Sequence, residues 1–149
     1  MMIWIDADAC PRDVKEVVFK ASLKRKLPVT LVANRYQQHP ELRWIQFVRV
    51  DHGMDVADEH IVQHSTPGDL VITQDVPLAA ELVEKGVEAL SHRGELWTER
   101  NVAERLSVRD AMTELRAMGV MTGGPPAYDN KAKQAFANAF DRWLAKHTG

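Results

Sequence analysis

Residues 70–85, LVITQDVPLAAELVEK, contain the unit from which the fold of this chain can be predicted. The first four residues form a short apolar run that is typical of a buried strand, and Asp75 follows shortly after it. Residues 76–85 then carry apolar side chains at helical spacing, with Pro77 in the first turn, where proline is well tolerated. This stretch therefore predicts a strand, a turn that contains an acid, and a helix.

The same alternation of strand and helix extends over the first part of the chain. Apolar runs predict strands at 2–5, 29–33, 45–50, 70–73 and 87–90, and helical spacing predicts helices at 12–26, 54–65 and 76–85. Such an alternation favours a mostly parallel sheet with helices on its faces, a three-layer α/β sandwich.

The second half of the chain has a different character. Residues 98–118 and 129–146 have helical spacing, and MTGGPPAYDN at 121–130 separates them. Its Gly-Gly-Pro-Pro run continues neither helix, so we interpret it as a connector, with a lid over the site as the alternative. We expect residues 1–149 to form a single domain with a helical C-terminal portion.

The composition narrows the class of protein. Hydrophobic residues make up 45% of the chain and charged residues 27%, values that are typical of soluble globular proteins. The formal net charge of −2 gives no overall basicity, although residues 12–26 contain six Lys or Arg against two acids. No apolar run reaches membrane-spanning length, and a single cysteine, Cys10, suits a reducing compartment. We therefore expect a cytoplasmic protein that does not associate with membranes.

Acids follow three of the first four predicted strands. Asp6 and Asp8 follow the first strand, Asp51 the third and Asp75 the fourth. In open parallel sheets, ligands bind beyond the carboxyl ends of the strands, so these positions are candidates for a functional site. Each acid also has a structural explanation, because aspartate is favoured in turns and at helix N-termini.

Asp58 is harder to explain by structure alone. On a helical wheel of residues 54–65, Met54, Ile61 and Ser65 define the inward direction, and Asp58 falls within the same arc. A carboxylate on the inward face of a helix is costly unless it is paired or coordinated. Asp55 lies one turn earlier and is either a helper of Asp58 or the N-cap of the helix.

These acids together predict a metal site. Oxygen ligands without a supporting thiolate pair favour Mg²⁺ or Mn²⁺ over structural zinc. His60 and His64 have the i, i+4 spacing of a zinc pair, but they lie off the inward arc and no HExxH pattern surrounds them, so we interpret them as surface or boundary residues. The candidate metal ligands are Asp6, Asp8, Asp55, Asp58 and Asp75.

Two levels of resemblance to known families rest on these residues. ADEHIVQHSTPGDLVITQDVPLA at 57–79 resembles the central signature of PIN-like nucleases. The chain more closely resembles the bacterial YaiI/YqxD family, which is regarded as PIN-like. The matching segments are DADACP (6–11), DVADEHI (55–61), GDLVITQDVPLA (68–79), SHRGELWTERNV (91–102) and GGPPAYDNKAKQAFANAFDRWL (123–144).

The resemblance implies a PIN-like fold and metal-assisted hydrolysis of phosphodiester bonds, with RNA as the polymer. It places Asp6, Asp58 and Asp75 at the positions of the catalytic, metal-binding acids, and it makes Asp8 and Asp55 additional acids of the narrower family. It leaves the hydroxyl of Thr73 to contact a ligand or the loop. Basic side chains are expected to position the phosphate backbone, namely Arg12, Lys15 and Arg93.

Two other functions fit parts of the sequence. The D-x-D after the first strand resembles phosphatases of the haloacid-dehalogenase type, in which Asp6 would be the nucleophile and Asp8 the acid/base. That fold needs an acidic pair after a later strand, whereas Gly68-Asp69 precedes its strand. A non-catalytic domain that binds RNA or a protein is the other alternative, and the sequence leaves the oligomeric state open.

Overall fold

The computed structural model describes residues 1–53, 55–120 and 127–147. The five strands are β1 (Ile3–Asp6), β2 (Val29–Ala33), β3 (Ile45–Arg49), β4 (Leu70–Ile72) and β5 (Glu88–Leu90). The five helices are α1 (Arg12–Arg25), α2 (Val56–His64), α3 (Val76–Lys85), α4 (Glu99–Ala117) and α5 (Asn130–His147). Each predicted element is present, with ends that shift by one or two residues; in particular, Asp6 is the last residue of β1 rather than the first after it.

The strands form one sheet in the order β3-β2-β1-β4-β5, and every pair of neighbours is parallel. In the centre of the sheet, Ile5 of β1 aligns with Leu31 of β2 on one side and with Ile72 of β4 on the other. The predicted three-layer α/β sandwich is thus confirmed, with a sheet that is entirely parallel over the described residues.

Alternate residues of β1 pack on opposite faces of the sheet. Ile3 and Ile5 belong to the apolar core that includes residues of α1 and α5, among them Val14 and Phe136. Trp4 belongs to the second core, which includes residues of α2, α3 and α4, namely Ile61, Leu78, Leu82 and Val102. Asp6 lies two residues after Trp4, so it faces the same side of the sheet as α2 and α3.

The chain reverses direction across the sheet at β1. It proceeds from β1 to β2 and β3 on one side, and then returns through α2 to β4 and β5 on the other. The carboxyl ends of β1 and β4 therefore flank a topological switch point, the place where open α/β sheets form a ligand-binding crevice.

The helical C-terminal portion is confirmed by α4 and α5. The Gly-Gly-Pro-Pro run at 123–126, for which a connector or a lid is predicted, lies outside the described residues. None of the helices in the described ranges is both long and apolar enough to cross a bilayer.

Candidate active site

Thr73 connects the two strand ends at the switch point. Its hydroxyl donates a hydrogen bond to Oδ2 of Asp6 at 3.0 Å and accepts one from the backbone N–H of Asp75 at 3.0 Å. The side chain is fully buried, which keeps water from competing for these bonds. The Thr73 hydroxyl thus contacts both the turn after β4 and the candidate acid Asp6.

Asp75 has the capping role that its position in the sequence allows. Its Oδ1 accepts a hydrogen bond from the backbone N–H of Leu78 at 3.0 Å, and Pro77 lies in the first turn of α3. This bond engages one of the two carboxylate oxygens, and the same carboxylate raises the pKa of both Asp6 and Asp58. Asp75 therefore caps α3 and also acts electrostatically on the candidate acids Asp6 and Asp58.

The electrostatics show that acids from three parts of the fold lie close together. Burial raises the pKa of Asp6 to about 6; the Thr73 hydrogen bond opposes this rise, and the charges of Asp75 and Asp8 add to it. Burial also raises the pKa of Asp58 to about 7, and the carboxylates of Asp75, Asp6 and Asp55 raise it further. We call Asp6, Asp58 and Asp75 the acid cluster.

Asp55 and Asp8 lie at the margin of the acid cluster. Asp55 precedes α2 with φ 67°, a left-handed conformation that aspartate tolerates better than most residues, and its side chain makes no capping hydrogen bond to the helix. Asp55 therefore occupies the predicted N-cap position of α2 without capping the helix through its side chain, and its backbone carbonyl accepts the first helical hydrogen bond, from the N–H of Glu59 at 2.9 Å. Asp8 is exposed, and its Oδ2 accepts a hydrogen bond from the backbone N–H of Asn34 at 2.8 Å.

The described side chains do not form a complete coordination sphere. Within residues 1–53, 55–120 and 127–147, no group of three or more His, Cys, Asp or Glu side chains is arranged to hold a metal ion. The structure thus brings Asp6, Asp58 and Asp75 within electrostatic reach of one another without placing all three as ligands of one ion. Mutual repulsion of carboxylates favours such spacing, and a cation would offset it.

Asp58 also borders a cavity of about 380 Å³. Asp55 and residues of α2, α3 and α4 line it, among them the acids Glu59 and Glu81. Glu81 raises the pKa of Asp58, yet nothing in the sequence of α3 indicates this role. Glu81 lies beside Asp58 because α3 packs against α2, and this packing cannot be predicted from the helical spacing within α3.

Comparison with known proteins identifies the family. The family model described as "Uncharacterized BCR, YaiI/YqxD family" matches residues 4–146. The chain belongs to the YaiI/YqxD family.

Relatives in this family match the chain over nearly its whole length. A UPF0178 protein of Dechloromonas aromatica is 49% identical over 146 residues, which cover 98% of this chain and 97% of the relative. A UPF0178 protein of Bordetella parapertussis is 52% identical, and the match covers 96% of this chain and 92% of the relative. For a UPF0178 protein of Shewanella sp. (strain ANA-3) the identity is 51%, over 97% of this chain and 96% of the relative. No solved structure gives a significant match.

The three basic residues predicted to bind phosphate in this family member make contacts with residues outside the acid cluster. Arg12 is exposed at the start of α1 and pairs with Glu16 at 3.4 Å. Nζ of Lys15 donates to Oε1 of Gln37 at 2.7 Å. Arg93 is exposed after β5, with its guanidinium 5.7 Å from the centroid of the Tyr128 ring. Their role in binding remains a prediction.

Several other polar residues have structural positions. Asp69 is buried and accepts hydrogen bonds from the backbone N–H of Met2 and from Nε1 of Trp4, so it supports the start of β1. Burial raises the pKa of the Cys10 thiol to about 12, which makes it a poor nucleophile at neutral pH. The rings of His60 and His64 stack on each other; His60 is half-buried and His64 is exposed, in agreement with the predicted surface or boundary positions.

Proposed function

We propose that this YaiI/YqxD family protein hydrolyses phosphodiester bonds of RNA with the help of Mg²⁺ or Mn²⁺ at the acid cluster. One observation carries the proposal. At the topological switch point, burial and the carboxylate of Asp75 raise the pKa values of Asp6 in β1 and of Asp58 in α2, and the carboxylate of Asp6 adds to the rise at Asp58. Clusters of carboxylates with perturbed pKa values are characteristic of functional sites, and hard cations prefer oxygen ligands.

The residues of the chain fit a divalent cation by their chemistry. Asp6, Asp58 and Asp75 would hold it, with Asp8 and Asp55 adding negative charge nearby. When bound, the cation supplies Lewis-acid chemistry, since it makes water more acidic and offsets the charge that develops on a phosphate.

Two neighbours fix the orientation of the proposed ligands. Thr73 holds Oδ2 of Asp6, and the capping bond to Leu78 holds Oδ1 of Asp75. Hydrogen bonds of this kind limit the rotamers of metal-binding carboxylates and tune their affinity. The acid cluster therefore has its supporting bonds in the structure, and the remaining step in forming the site is to bring the carboxylates together around the ion.

Cleavage of a labelled single-stranded RNA in the presence of Mn²⁺ tests this proposal. We expect Asp58→Asn to lower the rate by at least about 100-fold, because even the partners of metal ligands contribute about 10–100-fold. Asp51→Asn is the matched control. Asp51 is an exposed acid that follows β3 at the same edge of the sheet, and it is not among the charges that raise the pKa of Asp6 or Asp58. This control should cleave at the wild-type rate.

The cleavage assay, combined with assays of p-nitrophenyl phosphate hydrolysis and of RNA binding, distinguishes the two alternative functions. Intact RNA together with hydrolysis of p-nitrophenyl phosphate would contradict the proposal in favour of aspartate-based phosphate transfer at Asp6. RNA that is bound but not cleaved would contradict it in favour of a binding domain.

A further inference from the structure

Three aromatic rings form a cluster on the segment after β2 and on β3. The ring centroid of Tyr36 lies 5.7 Å from that of His39 and 5.2 Å from that of Phe47, and the rings of His39 and Phe47 are stacked at 5.7 Å. Tyr36 is 67% exposed, although an aromatic side chain of this size usually buries most of its surface. The cluster thus supports one ring that is held in place and still open to solvent. We call these three residues the aromatic cluster.

A cavity of about 660 Å³ lies beside the aromatic cluster. Arg12 and Lys15 of α1 line one side of it, and residues 37–40 line the other, including the amides of Gln37 and Gln38 and the ring of His39. Its volume is in the range of pockets that take small ligands, about 300–1,000 Å³. Glu16 also lines the cavity, but its carboxylate pairs with Arg12 and Lys133, which offset its charge.

The wall of the cavity is tied to the loop that follows Asp6. Nε2 of Gln37 donates to the backbone carbonyl of Ala7 at 3.1 Å, and the backbone N–H of Asn34 donates to Asp8 at 2.8 Å. The loop that follows Asp6 therefore connects the acid cluster to the wall of the cavity.

We propose that the cavity and the aromatic cluster bind an unpaired nucleotide of single-stranded RNA, with the base on Tyr36 and the phosphate at Arg12. The identity of the polymer rests on the proposed function. Stacking on an exposed aromatic ring beside cationic side chains is the common way in which proteins hold unpaired bases.

The polar groups of the cavity suit this ligand. Nδ1 of His39 lies 3.0 Å from the carbonyl oxygen of Pro40, which can only accept, so Nδ1 carries the proton. In this Nδ1-protonated tautomer Nε2 is an acceptor, suited to an amino group of a base or to a ribose hydroxyl. The cavity thus offers a cation for the phosphate, an acceptor for an amino or hydroxyl group, and an exposed aromatic ring for the base.

Fluorescence anisotropy with a labelled single-stranded ten-nucleotide RNA tests the binding step. The titration is done in EDTA, so that binding is measured without metal and without cleavage. We expect Tyr36→Ala to weaken binding by about tenfold, because loss of stacking on one aromatic ring has an effect of this order. Tyr36→Phe keeps the ring and should bind within about twofold of wild type.

Arg12 offers a matched comparison. Arg12 and Arg100 are both highly exposed, at 90% and 91%, and each pairs with a glutamate one turn later, at 3.4 and 3.5 Å. Arg12→Ala should weaken RNA binding and make the slope of log K against log salt concentration shallower by about one. Arg100→Ala should leave both the affinity and this slope unchanged. Equal affinities of these two variants would overturn the assignment of the phosphate to Arg12.

The result that would overturn the inference differs from the one that would overturn the proposed function. Wild-type affinity in Tyr36→Ala, or equal affinity for the RNA and for its mononucleotide, would contradict a site for an RNA strand here, even if Asp58→Asn abolishes cleavage. A loss of affinity in Tyr36→Ala together with no cleavage by any form would support the RNA site and contradict the nuclease.

Discussion

At the scale of single residues, the acid cluster makes stability depend on pH in a direction opposite to that of most aspartates. The pKa of Asp58 rises from an ordinary 3.8 to about 7 in the folded protein. The folded state therefore binds this proton more tightly than the unfolded state, and the resulting stability is present below pH 4 and lost as the pH rises through 7.

Asp58→Asn should remove much of this dependence. In EDTA, we expect the variant to be more stable than wild type at pH 8 by about 1 kcal/mol, a modest value because Asp58 is half-buried and water screens its charge. Urea unfolding at pH 5 and pH 8 measures the difference, with Asp51→Asn as the control. If the stability of the variant varied with pH in the same way as that of wild type, the raised pKa of Asp58 would be contradicted.

Thr73 is the second residue for which the structure makes a specific prediction. Thr73→Val keeps the shape of the side chain but removes the donor to Asp6 and the acceptor for the backbone N–H of Asp75. We expect a loss of about 1–3 kcal/mol in the free energy of unfolding and a further rise in the pKa of Asp6. Thr73→Ser keeps the hydroxyl and should preserve the pKa, which carboxyl NMR titration measures. An unchanged pKa in Thr73→Val would contradict the bond.

At the scale of elements, the turn after β5 depends on a close approach to α5. Gly94 has φ 84°, and a Cβ added there would lie 2.4 Å from the backbone carbonyl oxygen of Ala135. Gly94→Ala should therefore destabilise the protein by about 3 kcal/mol or more, because the backbone of α5 has to move. Gly68→Ala is the control: it also has positive φ, at 102°, but open space around it, so its effect should be about 1 kcal/mol. Thermal unfolding compares the two variants. Equal losses of stability in Gly94→Ala and Gly68→Ala would contradict the close approach of Gly94 to α5.

The helices and strands are predictable from local sequence patterns, whereas some contacts between them are not. Helical spacing in residues 54–65 is enough to direct Asp58 inward, and the apolar runs locate all five strands. The sequence does not predict Glu81 beside Asp58, since that position follows from the packing of α3 against α2. The cavity beside the aromatic cluster is also missed, because residues 34–44 form a connection without periodicity.

At the scale of the whole molecule, the strand order explains why distant acids meet. Alternation along the chain predicts a parallel sheet but not the order β3-β2-β1-β4-β5, which depends on the side to which each crossover returns. This order makes β1 and β4 neighbours, so that Asp6 and Thr73, 67 residues apart, form a hydrogen bond. The candidate site is thus a property of the topology as much as of the motifs.

Calorimetric titration of Mn²⁺ at pH 6 shows whether the acid cluster binds a divalent cation, as proposed above. At this pH a raised pKa of about 7 leaves most Asp58 carboxyls protonated and one of about 6 leaves about half of the Asp6 carboxyls protonated, and metal binding has to displace these protons. We therefore predict that wild type and Asp51→Asn bind Mn²⁺ with release of protons, seen as heats that differ between buffers of different ionisation enthalpy. Asp58→Asn should show no binding. If Asp58→Asn bound Mn²⁺ as wild type does, or if wild type did not bind it, a divalent-cation site at the acid cluster would be contradicted.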